Sequence, residues 1–361
     1  MVVNNAQISF ANLAVSQRKI KSVFFNQVNS ALDWNKVEAV IVRYYKRGVS
    51  VDGRPAYSGL ILFKMCLLQY WYNLSDYEVE AQCNDSISFS NFIGIPLDGQ
   101  IPDHSVLSRF RSELTAKDGW EIVFNEVNSQ LEAHHIIIKT GLIVDASVTD
   151  TPLKPKGKKT YPIAEDRKEE ETTEKDTDPL EPVKSGVDQE AAWLKKAGKL
   201  HYGFKKHVGT DPEGLVLAVV TTAANESDIC HLTDVVDKAK MPEQSTVKAD
   251  KGYRSESNQQ ELKQRKLRSH VMYKAVRGRK LSDRENAFNK AVSKLRYKIE
   301  RTFGSMKRWS GAGIARYRGL AKTHTQHLLE AIAHNLYRMP GLAVTATKRK
   351  NAARGQLCLV A

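Results

Sequence analysis

The chain has 361 residues, a formal net charge of +14 and a pI near 9.4. That length leaves room for two domains and a sizeable core, and the charge surplus favours a polyanionic partner, most simply nucleic acid. The composition excludes a cysteine-built framework: Cys66, Cys83, Cys230 and Cys358 form no CxxC pair and predict buried free thiols in a reducing compartment.

Residues 1–135 read as helical. Ser58 to Asn73 is apolar nearly all round (Leu60, Ile61, Phe63, Leu67, Leu68, Trp71) and predicts a core helix. Ser75 and Glu78 have capping-box spacing for the next helix, Asp76 to Cys83. A third helix starts near Asp103, with Val106, Phe110 and Leu114 on one face and Arg109 and Arg111 projecting away from it. Short helices followed by a basic one fit a helix-turn-helix reader of DNA, and fit a plain bundle with solvated arginines about as well.

From residue 136 the pattern changes. Ile136–Ile138 and Leu142–Val144 predict strands, and His201–Val208 and Leu215–Thr222 predict a hairpin across Asp-Pro-Glu-Gly. Then follow a helix over Asp228–Lys240, a short buried strand at Thr246–Ala249, a helix over Ser255–Leu267 and a strand at Arg268–Tyr273. Ser282 and Glu285 open a long helix to about Lys307, whose core stripe is Phe288, Val292, Leu295, Ile299, Phe303 and Met306. A last helix around His327–Met339 closes before Pro340, and a basic tail covers 341–361. The expected domains are thus a helical, DNA-binding one over 1–135 and a mixed α/β one over 136–340. There is neither a GxGxxG loop nor a P-loop, which argues against dinucleotide binding and an NTP-driven motor.

Residues 154–190 form a charged insertion, expected to be mobile. From Glu165 to Glu190 it carries eleven acidic and four basic residues. No run approaches the ~20 apolar residues of a membrane span, and the start of the chain lacks a signal-peptide pattern. The expectation is a cytoplasmic protein, at the nucleoid of a bacterium when bound to DNA.

Three acids stand in distinct settings. Asp145 ends the apolar run Gly-Leu-Ile-Val-Asp, Asp250 ends Thr-Val-Lys-Ala-Asp, and Glu300 lies within a basic helical stretch. A carboxylate at the end of a buried strand needs a compensating charge, and two such aspartates with a helical glutamate make an oxygen cage for a divalent metal. Arg296, Glu300 and Lys307 share one helix face, either as a solvated ladder or as an acid flanked by two phosphate-binding cations. Lys205, Lys251 and Arg254 suit phosphate contacts as well as they suit ordinary surface charge. His207 is read as a structural residue or a further contact to metal or DNA. Asp150 is read as a turn residue past the strand end, and Asp188 as too mobile for a ligand. Trp193 and Trp309 could stack on an unpaired base, although core packing is the commoner use of tryptophan.

The chain resembles bacterial insertion-sequence transposases of the DDE type, in the group named after insertion sequence five. The matching pieces are Val-Asp-Ala-Ser-Val-Thr-Asp around Asp145, His-Tyr-Gly-Phe-Lys-Lys-His at 201–207, Ala-Asp-Lys-Gly-Tyr at 249–253, and Arg-x3-Glu-x6-Lys from Arg296. Pro-Asp-His-Ser-Val-Leu-Ser-Arg-Phe-Arg and Tyr-Arg-Gly-Leu-Ala at 317–321 match too. The family signature has a tyrosine three residues before the arginine. Here Ser293 holds that position, and Tyr297 is out of register.

The resemblance implies a ribonuclease H-like mixed sheet flanked by helices. Asp145, Asp250 and Glu300 would be its catalytic, metal-holding acids, with two Mg²⁺ ions (Mn²⁺ could replace them). It also implies cleavage at terminal inverted repeats followed by joining to target double-stranded DNA, by at least a homodimer. A transposase-derived protein that only binds DNA, and a nuclease that only hydrolyses, remain open alternatives.

Overall fold

The computed structural model describes residues 2–3, 23–46, 56–155, 186–196, 198–276 and 278–358, with side chains to 343. The expected insertion therefore lies largely outside the described residues. Among the described residues seven helices come first: α1 (Val23–Ala31), α2 (Trp34–Tyr44), α3 (Gly59–Trp71), α4 (Asp76–Asp85), α5 (Ile87–Ile93), α6 (His104–Ala116) and α7 (Gly119–Ala133). A two-residue parallel pair, β1 (Val2–Val3) and β2 (Ala56–Tyr57), lies beside them.

The Ser58 hydroxyl accepts from the Leu60 N–H to start α3, and α3 is buried on every side, as its uninterrupted apolar sequence requires. The Ser75–Glu78 capping box closes reciprocally. On α6 the buried stripe is Leu107, Phe110, Arg111 and Leu114, one position round from the expected Val106 face.

The second half builds a six-stranded mixed sheet from β3 (Gly141–Asp150), β4 (Ala192–Lys196), β5 (Lys199–Thr210), β6 (Val216–Ala223), β7 (Thr246–Ala249) and β8 (Arg268–Val271). β3 is central, antiparallel to β5 and parallel to β7, and β7 is parallel to β8. The outer edge of β5 is shared: β4 pairs its first half and β6 its second. Three antiparallel strands continued by two parallel ones, in the order β6-β5-β3-β7-β8, is the ribonuclease H-like arrangement.

The β5–β6 turn is set by Asp211, whose carboxylate accepts from the N–H groups of Glu213, Leu215 and Ile138. Gly214 supplies the positive φ of 84° that this turn needs. Ile136–Ile138 does not form a strand. The Ile136 and Ile137 N–H groups bond back to Leu131 at the end of α7, and both side chains fill the core beneath it.

Helices α8 (Leu232–Ala239), α9 (Glu256–Gln264), α10 (Asp283–Ser310) and α11 (Leu320–Cys358) flank the sheet. The Ser282–Glu285 capping box opens α10. Val292, Ile299, Phe303 and Met306 of its expected stripe are buried, but Leu295 faces solvent. α11 runs through Pro340 instead of ending before it. Met339 and Leu342, on either side, are both buried, and their packing offsets the roughly 3 kcal/mol cost of proline in a helix.

Asp188 is a fixed residue, contrary to expectation. It is buried, its Oδ2 accepts from the Gly319 N–H, and Glu190 accepts from Leu320, so both acids cap the start of α11. Cys66 and Cys83 are buried free thiols, whereas Cys230 is exposed. One hydrophobic core runs from Phe25 to Leu342 and unites the helical half with the sheet. Among the described residues no helix is long and apolar enough to cross a membrane.

Three histidines are buried in or against this sheet. Burial and the neighbouring His231 push His207 down to about 4, burial pushes His334 down to about 4, and burial pushes His327 well below its ordinary 6.5. Each contributes stability that is present above 6.5 and lost as pH falls toward the folded value. Burial pushes Asp211 up from 3.8 to about 6, which has the opposite sign: stability present below 3.8 and lost as pH rises through about 6. The three histidines outnumber the one carboxylate, so stability should fall as pH drops from about 6.5 toward 4. Urea unfolding at stepped pH checks the direction, and His334→Gln should flatten the fall.

Candidate active site

Asp145 and Asp250 are brought together by strand register. The β3–β7 pairing ends at Val144 opposite Ala249, and the next residue on each strand is an aspartate. Parallel neighbours lie about 5 Å apart, so two carboxylates would repel unless a cation joined them. Arg296 of α10 supplies it, with Nη2 at 2.9 Å from Asp145 Oδ2 and Nη1 at 3.3 Å from Asp250 Oδ1. The guanidinium occupies the place where the two acids would hold a cation.

Asp145 lies mid-strand, not at the strand end as expected, because β3 continues to Asp150. It is largely buried, and its Oδ1 accepts from the Ala146 N–H at 2.9 Å. Burial raises its pKa, against the opposing pull of Arg296, the Ala146 N–H and Lys196. Glu300 stands one turn beyond Arg296, about 6 Å along the axis of α10. It is exposed, with no hydrogen bond or ion pair to the described residues. Among the described residues no three His, Cys, Asp or Glu side chains are arranged around a common metal position. The structure thus gathers two of the three expected acids and leaves the third on the adjacent turn.

Lys307 shares the Arg296 face, but eleven residues place it about 16 Å further along the helix. There, burial and then the nearby Lys206 and Lys196 lower its pKa, and Asp150 lies within electrostatic reach. Lys251 follows Asp250 directly and is exposed. Arg254 is half-buried, donating to the Val271 carbonyl and lying 3.9 Å from the Tyr273 ring centre, which makes it a support for β8.

Lys205 and His207 are not surface contacts. Asp145 pairs with Val208, and Ala146 with His207, so strand alternation turns Lys205 and His207 to the sheet face opposite Asp145. Lys205 is buried against Asp228 at 2.7 Å, and His207 bonds Thr222 beside the His231 ring.

Arg111 is likewise no free cation. It is buried, paired with Asp76 and packed on the Tyr317 ring. Arg109 is exposed and within reach of the Ser105 hydroxyl. Asp150 is the last residue of β3, not a turn beyond it, and binds His201 at 2.9 Å. Trp193 and Trp309 are both substantially exposed, against the expectation of core packing.

Sequence reasoning missed Tyr253. Its ring is buried and its hydroxyl has no hydrogen-bond partner among the described residues. Burial, then Asp228 and Asp145, push its ionisation far up. The signal was present in Asp-Lys-Gly-Tyr: a tyrosine three residues after a strand-end aspartate, on the short turn whose Tyr253 N–H donates to the Asp250 carbonyl.

The profile described as Transposase DDE domain matches residues 138–336, more than half of the chain. This chain belongs to the Transposase DDE domain family. The match spans β3 to β8, α10 and the first half of α11, and so includes Asp145, Asp250, Arg296 and Glu300. A second profile, Transposase domain (DUF772), matches residues 14–113 in the helical half. A solved structure of the piggyBac transposase synaptic complex with hairpin DNA is similar over 92% of this chain and 82% of that chain, at a TM-score of 0.38 and 10% identity. So loose a superposition adds nothing to the family match. Membership makes the protein a DDE-type transposase and implies dependence on a divalent metal.

Arg296→Met should destabilise the metal-free protein by about 3 kcal/mol, because Asp145 is left with a buried, unpaired charge. Urea unfolding in EDTA checks the loss. Adding Asp145→Asn should recover most of it, and full additivity of the two changes would show that the ion pair contributes nothing.

Proposed function

We propose that this transposase binds the terminal inverted repeats of its element, cuts DNA at the Asp145–Asp250 site and joins the freed end to target DNA. The motif order further suggests membership of the group named after insertion sequence five. The observation that carries the reading is the strand register that sets the two family-matched aspartates side by side around a cation.

The donor set fits a hard divalent ion. Both gathered ligands are carboxylate oxygens, and a positive charge already lies between them. Asp145 and Asp250 would hold Mg²⁺, with Glu300 reaching in from the next turn; two ions per site are expected, and Mn²⁺ could substitute. When bound, the metal neutralises charge at phosphorus and promotes loss of a proton from the attacking oxygen.

The chain's own groups do the remaining work. Burial of Asp145 fixes its orientation and limits water. Arg296, once released from the carboxylates, lies within reach of a phosphate held beside them. Lys251, exposed next to Asp250, adds a second phosphate contact. In cleavage a water oxygen forms a bond to phosphorus, and the bond to the 3′ oxygen breaks. In joining, the freed 3′-hydroxyl forms the new bond and a target 3′ oxygen leaves. One phosphorus–oxygen bond replaces another each time, so neither step needs a nucleotide energy source. Bringing two ends together calls for at least a homodimer on DNA.

A second reading, a DNA binder without catalysis, draws on the separation of Glu300 from the aspartate pair. Strand cleavage of inverted-repeat DNA in Mg²⁺ or Mn²⁺ separates the two. Asp145→Asn, Asp250→Asn and Glu300→Gln should each lower cleavage by about 10³-fold or more while duplex affinity is kept. Cleavage retained by Glu300→Gln would remove that residue from the site, and no cleavage by the parent protein with either metal would favour the binder.

A further inference from the structure

α10 presents a second flank beside the one that carries Arg296 and Glu300. Successive residues turn by about 100° around a helix, so Tyr297, Arg301 and Arg308 lie that far round from the Arg296–Glu300–Lys307 face. With α11 they form a groove of about 620 Å³ whose walls carry Lys298, Arg301, Arg308 and Arg338 against a single carboxylate, Glu213. Lys298 and Arg338 are steadied by carbonyls of the β5–β6 turn, those of Pro212 and Glu213. Arg301 and Arg308 project into solvent, and the Arg308 guanidinium lies 5.1 Å from the Trp309 ring centre.

The groove continues into a cavity of about 360 Å³ that shares Trp309 and Tyr337 with it and adds Phe24, Trp71 and Tyr72. Trp309 is 54% exposed and Tyr337 52%. The floor beneath them is rigid. Phe24 packs edge-on against both Trp71 and Tyr337, and the Trp71 indole N–H donates to the Ala333 carbonyl at 2.9 Å.

Among the described residues, aromatic faces open to solvent beside a cluster of cations match a polyanion that carries flat apolar rings. In duplex DNA those rings are stacked on each other, so their faces are not free to lie against an indole. In an unpaired strand they are. We infer that this groove holds an unpaired stretch of DNA, with bases against Trp309 and Tyr337 and phosphates along Arg301 and Arg308. The groove needs from the proposed function only that DNA is the substrate; the metal-dependent chemistry plays no part in it.

The test is fluorescence anisotropy in EDTA, with labelled oligo(dT) and a duplex of equal length. Trp309→Ala should weaken single-strand binding about ten-fold and leave duplex affinity within about two-fold, and Trp309→Phe should restore most of the loss. Arg301→Gln with Arg308→Gln should weaken single-strand binding and flatten its log–log salt slope by about 1.4. Should Trp309→Ala fail to fold, this solvent-facing arginine pair carries the test alone. Unchanged oligo(dT) affinity in the arginine pair, or equal losses on single strand and duplex, overturns the inference. So does a changed oligomeric state in sedimentation with DNA affinity intact, which would make the groove a protein contact. Cleavage by Asp145→Asn is a separate measurement, so failure here leaves the acidic site standing.

Discussion

Val144 pairs with Ala249, and a carboxylate follows on each strand. Parallel pairing leaves these two side chains no freedom to separate, so the sheet itself creates a concentrated negative charge at one point. Something positive has to lie there. Here it is Arg296 of α10: the buried residues Val292, Ile299 and Phe303 seat the helix, and the guanidinium closes the charge balance. A divalent cation would compete with the arginine for the same oxygens.

The opposite end of that face is held by a different pair. Lys206 is buried on β5, with Nζ 2.7 Å from Glu330 of α11 and 2.9 Å from the Ala312 carbonyl just beyond α10. Gln326 donates to the second oxygen of Glu330, and His327 joins Thr149 and Thr221. A buried ion pair adds little net stability, yet removing either partner is expensive. Its effect here is positional. It ties the sheet, the end of α10 and the middle of α11 to one another, so the helix that carries Arg296 and Glu300 has little freedom to slide along β3.

Local signals were legible wherever a residue acts on its own backbone. The Ser75–Glu78 and Ser282–Glu285 boxes and the Asp-Pro-Glu-Gly turn all depend on neighbours within four residues, and all formed. The aspartate pair was legible because a charge ending an apolar run is anomalous in any fold. What sequence could not supply was the partner across the gap. Lys205 and Lys206 are adjacent cations on one strand, but alternation sends one to Asp228 and the other to Glu330, and neither acid is near in sequence. Arg111 reads as a surface cation until Asp76 and Tyr317 are folded around it. Pro340 reads as a helix end until Met339 and Leu342 are seen to be packed.

Glu300 and Trp309 make the same point from the exposed side. Both lie on α10, nine residues apart, and neither is held by the fold in the way Arg296 is. A carboxylate solvated one turn from the paired Asp145 and Asp250 loses little by staying there. Moved in without a further cation, it would add a third negative charge to a site where one guanidinium already serves two. Its place on the exposed turn therefore follows from the same electrostatics that hold Asp145 and Asp250 on Arg296.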